Sequence, residues 1–240
     1  MPTAEDFKRA MVVTAHPDDA EWGCSSTVAK WCRLGWDVIY VLCTDGSKGT
    51  EDRSITSEEL AEIRAKEQIN AGKTLGLTNV EFLGYPDGYL EPTLNVRKDI
   101  SRQIRKWKPD VLITTSPSRD LGNSSYIGHP DHFAAGEAAL SAVFPSARDH
   151  LTFPELLEDE GLEPHKVREV WVMTYGDNAN YWNPLTEQDV ETSISALQDH
   201  VSQISNPEEA GKWMKKRRAK LGEKIGADYA ESFQIGRAHA

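Results

Sequence analysis

Short apolar runs alternate with longer stretches of helical periodicity along most of the chain. Runs rich in β-branched residues predict five buried strands, at residues 10–15, 37–44, 80–83, 111–115 and 166–175. The segments between and after them predict helices at residues 23–34, 57–75, 95–107, 129–143 and 190–224. Strands that alternate with helices indicate a mainly parallel sheet with helices on both faces. We therefore expect an α/β fold, a single Rossmann-like three-layer domain over residues 1–240.

Polar loops follow three of the predicted strands. The sequence HPDD occupies residues 16–19, DGSKGT occupies residues 45–50, and a longer loop leads to HPDH at residues 129–132. Ligands of open parallel sheets bind at the carboxyl ends of the strands. These loops are therefore the first places to look for chemistry.

Composition narrows the class of protein. The 240 residues are 39% hydrophobic, which favours a folded protein, and the net charge of −11 disfavours nucleic acid as a partner. The three cysteines form no CxxC pair, and no run of about 18 apolar residues predicts a membrane span. We expect a cytoplasmic protein with no membrane partner, and leave a homo-oligomer open.

The two histidine motifs share a spacing that suits a metal ion. His16 and Asp19 are three residues apart, as are His129 and His132, and a proline follows the first histidine of each pair. Two imidazoles and one carboxylate that converge on a point suit a divalent cation. Asp18 is then free to act as general base on a metal-bound water, which is hydrolase chemistry. The alternatives are that Asp18 only caps a helix and that His129 is a surface histidine at a helix start.

Both motifs resemble the signatures of a known enzyme family. HPDDAEWGC at residues 16–24 and GHPDHFAAGEAAL at residues 128–140 are similar to the two signature motifs of the PIG-L/LmbE family of zinc-dependent N-deacetylases. These enzymes remove acetyl from N-acetylglucosamine-type amino sugars. The similarity continues through LGYPDG, SALQDHVSQI and ADYAESFQI, at residues 83–88, 195–204 and 227–235.

The resemblance implies roles for individual residues. His16, Asp19 and His132 match the zinc ligands of the family, and Asp18 matches its general base. His129 matches a histidine that is expected to be cationic and either to stabilise the oxyanion or to protonate the leaving amine. Such help is needed because an amine is a poor leaving group unless it is protonated.

Two further residues resemble family positions that contact sugar hydroxyls, Arg64 and Asp87. Alternatively, Arg64 pairs with Glu67 on an exposed helix face, and Asp87 is an ordinary turn former. Some family members have a tyrosine two residues before the second-motif histidine. Here that position is Ile127, with Tyr126 beside it, so we assign no tyrosine to the site.

Three functions remain open from the sequence. The first is a zinc-dependent hydrolase that acts on a small N-acetylated sugar or sugar conjugate. The second is a non-haem Fe²⁺ oxygenase, because two histidines and one carboxylate also hold that metal. The third is a protein that binds sugar or metal without turnover, although zinc binding alone requires neither Asp18 nor His129.

Overall fold

One seven-stranded sheet forms the centre of the molecule. A computed structural model of the chain describes residues 7–119, 127–174 and 178–237. The strands of its sheet are β1 (Arg9–Thr14), β2 (Asp37–Thr44), β3 (Asn79–Tyr85), β4 (Val111–Thr114), β5 (Glu169–Met173), β6 (Tyr181–Leu185) and β7 (Tyr229–Arg237). Their order is β3-β2-β1-β4-β5-β7-β6. The first five pair in parallel, whereas β7 is antiparallel to both β5 and β6.

The helices connect the strands. They are α1 (Asp19–Gly23), α2 (Ser25–Arg33), α3 (Ser57–Leu75), α4 (Leu94–Trp107), α5 (Pro130–Ser141), α6 (Glu155–Glu158), α7 (Glu187–Gln198) and α8 (Pro207–Glu223). A short π-helical segment, Ala142–Ser146, follows α5. The predicted capping box is present at the start of α3, where Thr56 and Glu59 exchange hydrogen bonds. No described helix has both the length and the apolar character needed to cross a membrane.

The central strands are buried on both faces, which confirms the predicted α/β fold. Met11 and Val13 of β1 belong to an apolar cluster with side chains of α4 and α5. Ala10 and Val12, which point the other way, pack with side chains of α2, α3 and α7. Successive side chains of a strand point to opposite faces, so an uninterrupted apolar run requires helices on both sides.

The second half of the chain differs from the prediction. Strands β6 and β7 were not expected, and the predicted helix 190–224 is two helices, α7 and α8. Asn206 caps α8 through its side chain, so a new helix begins there. The expected helix 23–34 corresponds to α2, and a short helix that was not expected, α1, precedes it and ends at Gly23. The hydrophobic pattern of β7 is weak because Glu231 is one of its buried residues. The Glu231 carboxylate is paired with Arg218, with Oε1 2.6 Å from Nη2.

A close approach between α5 and the end of β4 places the second histidine motif. A Cβ atom on Gly136 of α5 would lie 2.4 Å from the backbone oxygen of Thr115, which leaves no room for a larger residue. The Thr115 hydroxyl also donates to the backbone oxygen of His132 at 2.6 Å. Residue 136 therefore sets how closely the helix that carries His132 packs against the sheet.

We expect Gly136→Ala to lower the free energy of unfolding by about 1–3 kcal/mol, because the new methyl group must displace backbone. Gly236→Ala is the matched control, since a Cβ atom there meets nothing within 4 Å. Urea unfolding monitored by circular dichroism measures both. Equal stability of the two variants would contradict the close packing of α5.

Candidate metal centre

The predicted residues meet at the carboxyl ends of β1 and β4. His16 and Asp19 follow β1, and His129 and His132 lie at the start of α5, in the connection after β4. Strands β2 and β3 extend from β1 in one direction, and β5 extends from β4 in the other. The neighbours β1 and β4 therefore flank the point where the strand order reverses, which is the usual binding crevice of such sheets.

The three side chains of the predicted ligand set face one another. His16 Nδ1 lies 3.2 Å from His132 Nε2, and His132 Nε2 lies 3.0 Å from Asp19 Oδ1. His16 Nδ1 is 3.5 Å from Asp19 Oδ2. Two imidazole nitrogens and a carboxylate are a donor set that zinc accepts in proteins.

Carboxylates around His16 favour a cation at this point. Burial by itself lowers the pKa of His16, but hydrogen bonds with Asp131 and Asp19 outweigh it and raise the pKa to about 12. Burial also opposes ionisation of Asp19, yet His132 and His16 hold the pKa of that carboxyl well below its ordinary value. The residues present therefore fit a divalent metal ion, which would take the place of a proton on His16 Nδ1.

Asp131 fixes the orientation of His16 and was missed in the sequence analysis. Its carboxylate is completely buried and lies 3.2 Å from His16 Nε2. It also accepts hydrogen bonds from the backbone amides of Gly88 (2.8 Å) and Leu90 (3.2 Å). Because a carboxylate only accepts, Nε2 carries the proton and Nδ1 remains available to a metal. The available signal was the acidic residue between the two histidines of HPDH.

Asp87 lies in the same network. Its Oδ1 is 3.1 Å from His16 Nε2, and its Oδ2 accepts from the backbone amide of Lys48 at 2.9 Å. The side chain is buried. Asp87 is therefore more than a turn former, and its predicted contact with a sugar hydroxyl stays a prediction.

Arg64 is buried beside the first motif. It donates to the backbone oxygens of Pro17 at 2.6 Å and Gly46 at 2.9 Å, and its Nη2 lies 3.5 Å from Asp18 Oδ2. The alternative of a surface pair with Glu67 is wrong, because Arg64 is buried and Glu67 binds Ser202 instead. The predicted role of Arg64 in sugar binding stays a prediction.

Asp18 occupies the N-cap position of α1, but its side chain makes no capping hydrogen bond. Burial, and then the charge of Asp19, raises the pKa of Asp18 to about 7. A carboxyl group that is uncapped and easily protonated can accept a proton and return it. The helix-cap alternative therefore does not account for this residue.

His129 is both the start of α5 and a member of the cluster. Its Nδ1 accepts from the backbone amide of Asp131 at 3.2 Å, so the proton lies on Nε2. Ligand nitrogens of His16, His129 and His132 lie within 4.8 Å of one another. Burial, and then the charge of His16, lowers the pKa of His129. The expected cationic form of His129 stays a prediction. Ile127, at the position where some family members have a tyrosine, is exposed. The neighbouring Tyr126 lies outside the described residues.

Comparison with known proteins identifies the family. The family model described as PIG-L, GlcNAc-PI de-N-acetylase, matches residues 11–143. The chain belongs to the PIG-L family. A diacetylchitobiose deacetylase of Thermococcus kodakarensis is 33% identical over 199 residues, which cover 83% of this chain and 71% of that protein. A probable N-acetyl-α-D-glucosaminyl L-malate deacetylase of Bacillus anthracis is 26% identical, and the match covers 82% of each chain.

A solved deacetylase structure has the same fold. The N,N'-diacetylchitobiose deacetylase from Pyrococcus horikoshii superimposes with a TM-score of 0.86 at 32% identity, covering 97% of this chain and 85% of that one. The family match ends at residue 143, shortly after α5, so it contains both histidine motifs. The site therefore lies in the part of the chain that the family model describes.

We expect Asp131→Asn to weaken zinc binding about 10–100-fold, because the amide no longer holds His16 Nε2–H as a carboxylate does. Competition with a chromogenic chelator measures the affinity. Glu137→Gln is the control, an exposed carboxylate on the same helix. Wild-type affinity in Asp131→Asn would contradict the orienting role.

Proposed function

We propose that residues 1–240 form a single zinc-dependent deacetylase domain that removes acetyl from an N-acetylglucosamine-type amino sugar or its conjugate. The proposal is carried by the cluster of His16, Asp19 and His132, whose facing atoms are 3.0–3.5 Å apart, with the uncapped Asp18 beside it. The names of the relatives support the substrate class, because they are deacetylases of acetylated glucosamine derivatives.

His16, Asp19 and His132 would hold the zinc ion. Zinc held there would supply Lewis acidity, which would lower the pKa of a bound water and polarise the amide carbonyl. Fe²⁺ has the same ligand preference, so the choice of metal is part of the proposal and of its test.

Asp18 carries the proton in this mechanism. It accepts a proton from the attacking water as the new C–O bond forms at the acetyl carbon. It then returns that proton to the amide nitrogen, the oxyanion re-forms the carbonyl as the C–N bond breaks, and the free amine and acetic acid leave, the acid losing its remaining proton to solvent. A carboxyl group suits both steps when its pKa lies near the working pH.

His129 stabilises the charge that develops on the carbonyl oxygen. Because its Nδ1 accepts from the Asp131 amide, the Nε2–H group is the one free to donate to the oxyanion. A donor fixed in place before the reaction stabilises the transition state at little reorganisation cost. His129 is therefore assigned to the oxyanion, and Asp18 to the leaving amine.

Arg64 and Asp87 complete the proposed site as contacts to sugar hydroxyls. Arg64 also donates to the backbone oxygen of Pro17, and Asp87 also contacts the ring of His16. Their substitution is therefore expected to affect both substrate binding and the geometry of the first motif.

Asp18→Asn should lower kcat for acetate release by about 10²–10⁴-fold, the usual contribution of general acid–base catalysis, and should keep its zinc. Acetate assay and metal analysis by mass spectrometry measure the two quantities. Asp110→Asn is the control, since Asp110 accepts from the Lys8 and Arg9 amides at the opposite end of the sheet. An Asp18→Asn variant as active as the wild type would show that Asp18 is not the base, and a wild-type protein that releases no acetate would favour a non-catalytic binder.

Metal removal separates the hydrolase from the oxygenase. Against a panel of N-acetylated sugars, we expect a chelator to stop amine release and added zinc to restore it under strictly anaerobic conditions. Hydrolysis consumes only water, whereas an oxygenase requires oxygen. Dependence of turnover on oxygen and Fe²⁺ would overturn the proposal.

A further inference from the structure

A chain of three buried polar side chains ends on the backbone of Asp18. Gln68 of α3 accepts a hydrogen bond from the Asp18 amide through Oε1 at 3.1 Å and donates through Nε2 to Glu21 Oε1, also at 3.1 Å. Glu21 Oε2 lies 3.4 Å from Nε2 of His200, in the segment after α7. Gln68, Glu21 and His200 are each completely buried.

The backbone at Asp18 needs such support. Its φ angle is +88°, in the left-handed region that residues with a Cβ atom seldom adopt. Such conformations persist only where the surroundings hold them, and they are concentrated at functional sites. Gln68 holds the amide of Asp18, and Arg64 holds the preceding carbonyl oxygen of Pro17.

The orientation of Gln68 is determined by its neighbours. The Asp18 amide is a donor, so Gln68 must turn its oxygen toward it, which leaves the Gln68 amino group facing the opposite way. Glu21 provides the acceptor for that amino group, and His200 lies against the other oxygen of Glu21. Hydrogen bonds therefore fix Gln68 between Asp18 and Glu21, and the charge of His200 attracts the other oxygen of Glu21.

Fold stability alone does not explain why these three polar side chains are buried together. A buried carboxylate and imidazole lose their hydration, and apolar residues of similar volume are often at least as stable in such places. His200 Nε2 and Glu21 Oε2 face each other as an ion pair, and among the described residues neither ring nitrogen of His200 has a partner that meets hydrogen-bond geometry. The free-energy cost of burying Gln68, Glu21 and His200 is explained if these side chains position Asp18.

We propose that Gln68, oriented by Glu21 and His200, is a positioning residue that holds the Asp18 backbone and aims the Asp18 carboxylate for proton transfer. The inference rests on the proposed function of Asp18. It adds residues that touch neither metal nor substrate, drawn from α1, α3 and the segment after α7.

Gln68→Asn tests the inference with a small change, because the shortened amide cannot reach both Asp18 and Glu21. We expect kcat to fall about 10–100-fold, as misplacement of a catalytic group does, with KM and zinc content within about twofold of the wild type. Gln68→Met, which removes both hydrogen bonds, should lose at least as much. Glu21→Leu should behave like Gln68→Met, and Glu21→Gln, which keeps the acceptor oxygen, should restore most of that loss.

Glu67→Gln is the matched control. Glu67 precedes Gln68 on α3, is buried, and binds the backbone amide and hydroxyl of Ser202, in the segment that carries His200. It makes no hydrogen bond to Asp18, so its variant should keep wild-type kcat. Circular dichroism and zinc analysis establish that each variant is folded and loaded before its kinetics are compared.

The outcomes separate the two proposals. If Asp18→Asn is inactive and folded Gln68→Asn keeps wild-type kcat, the positioning role is wrong and the general base stands. If Glu67→Gln loses as much kcat as Gln68→Asn, the effect is general packing and the positioning role is also wrong. If Asp18→Asn is fully active, the proposed function fails and this inference fails with it.

Discussion

The burial of His16 among three carboxylates is the interaction on which the site depends. Asp19 faces one ring nitrogen, and Asp87 and Asp131 share the other, all within 3.5 Å. Buried carboxylates repel one another unless positive charge lies between them. His16 provides that charge, and the cation proposed at its Nδ1 would add to it. The charged residues at the end of β1 are therefore stabilised by the opposite charges of their neighbours rather than by contact with solvent.

The parallel sheet makes this compensation possible. Residues 16–19 and 129–132 are more than a hundred positions apart, yet β1 and β4 are paired neighbours. Gly136 allows α5 to pack closely on the end of β4, and the Thr115 hydroxyl binds the backbone of His132. Asp131 lies in the first turn of α5, near the carboxyl ends of the strands, where it binds both His16 and the Gly88 amide. One helix start therefore connects the loops after β1, β3 and β4.

The sequence predicted the first half of the fold well and the second half less well. Strand β2 has the predicted bounds, and α3 begins and ends at its predicted capping box and glycine, because those signals are local. Strands β6 and β7 were missed because Pro184 and the buried Glu231 hide their patterns. Pro184 is tolerated on an edge strand, and Glu231 is stabilised by Arg218 and by the amides of Ser26 and Thr27, about 200 residues away.

The amino-acid sequence was enough to predict the α/β alternation and to single out the two histidine motifs, with His16, Asp19 and His132 as candidate ligands and Asp18 as the candidate base. Periodicity, caps and residue spacing are properties of neighbouring residues and can be read along the chain. The folded structure was needed to see that Asp131 binds the His16 ring, that Nδ1 of His129 accepts from the Asp131 amide, and that Gln68, Glu21 and His200 lie behind Asp18. Those features depend on burial and on contacts between distant segments. A local pattern of polar residues does not specify which polar side chains will be buried together.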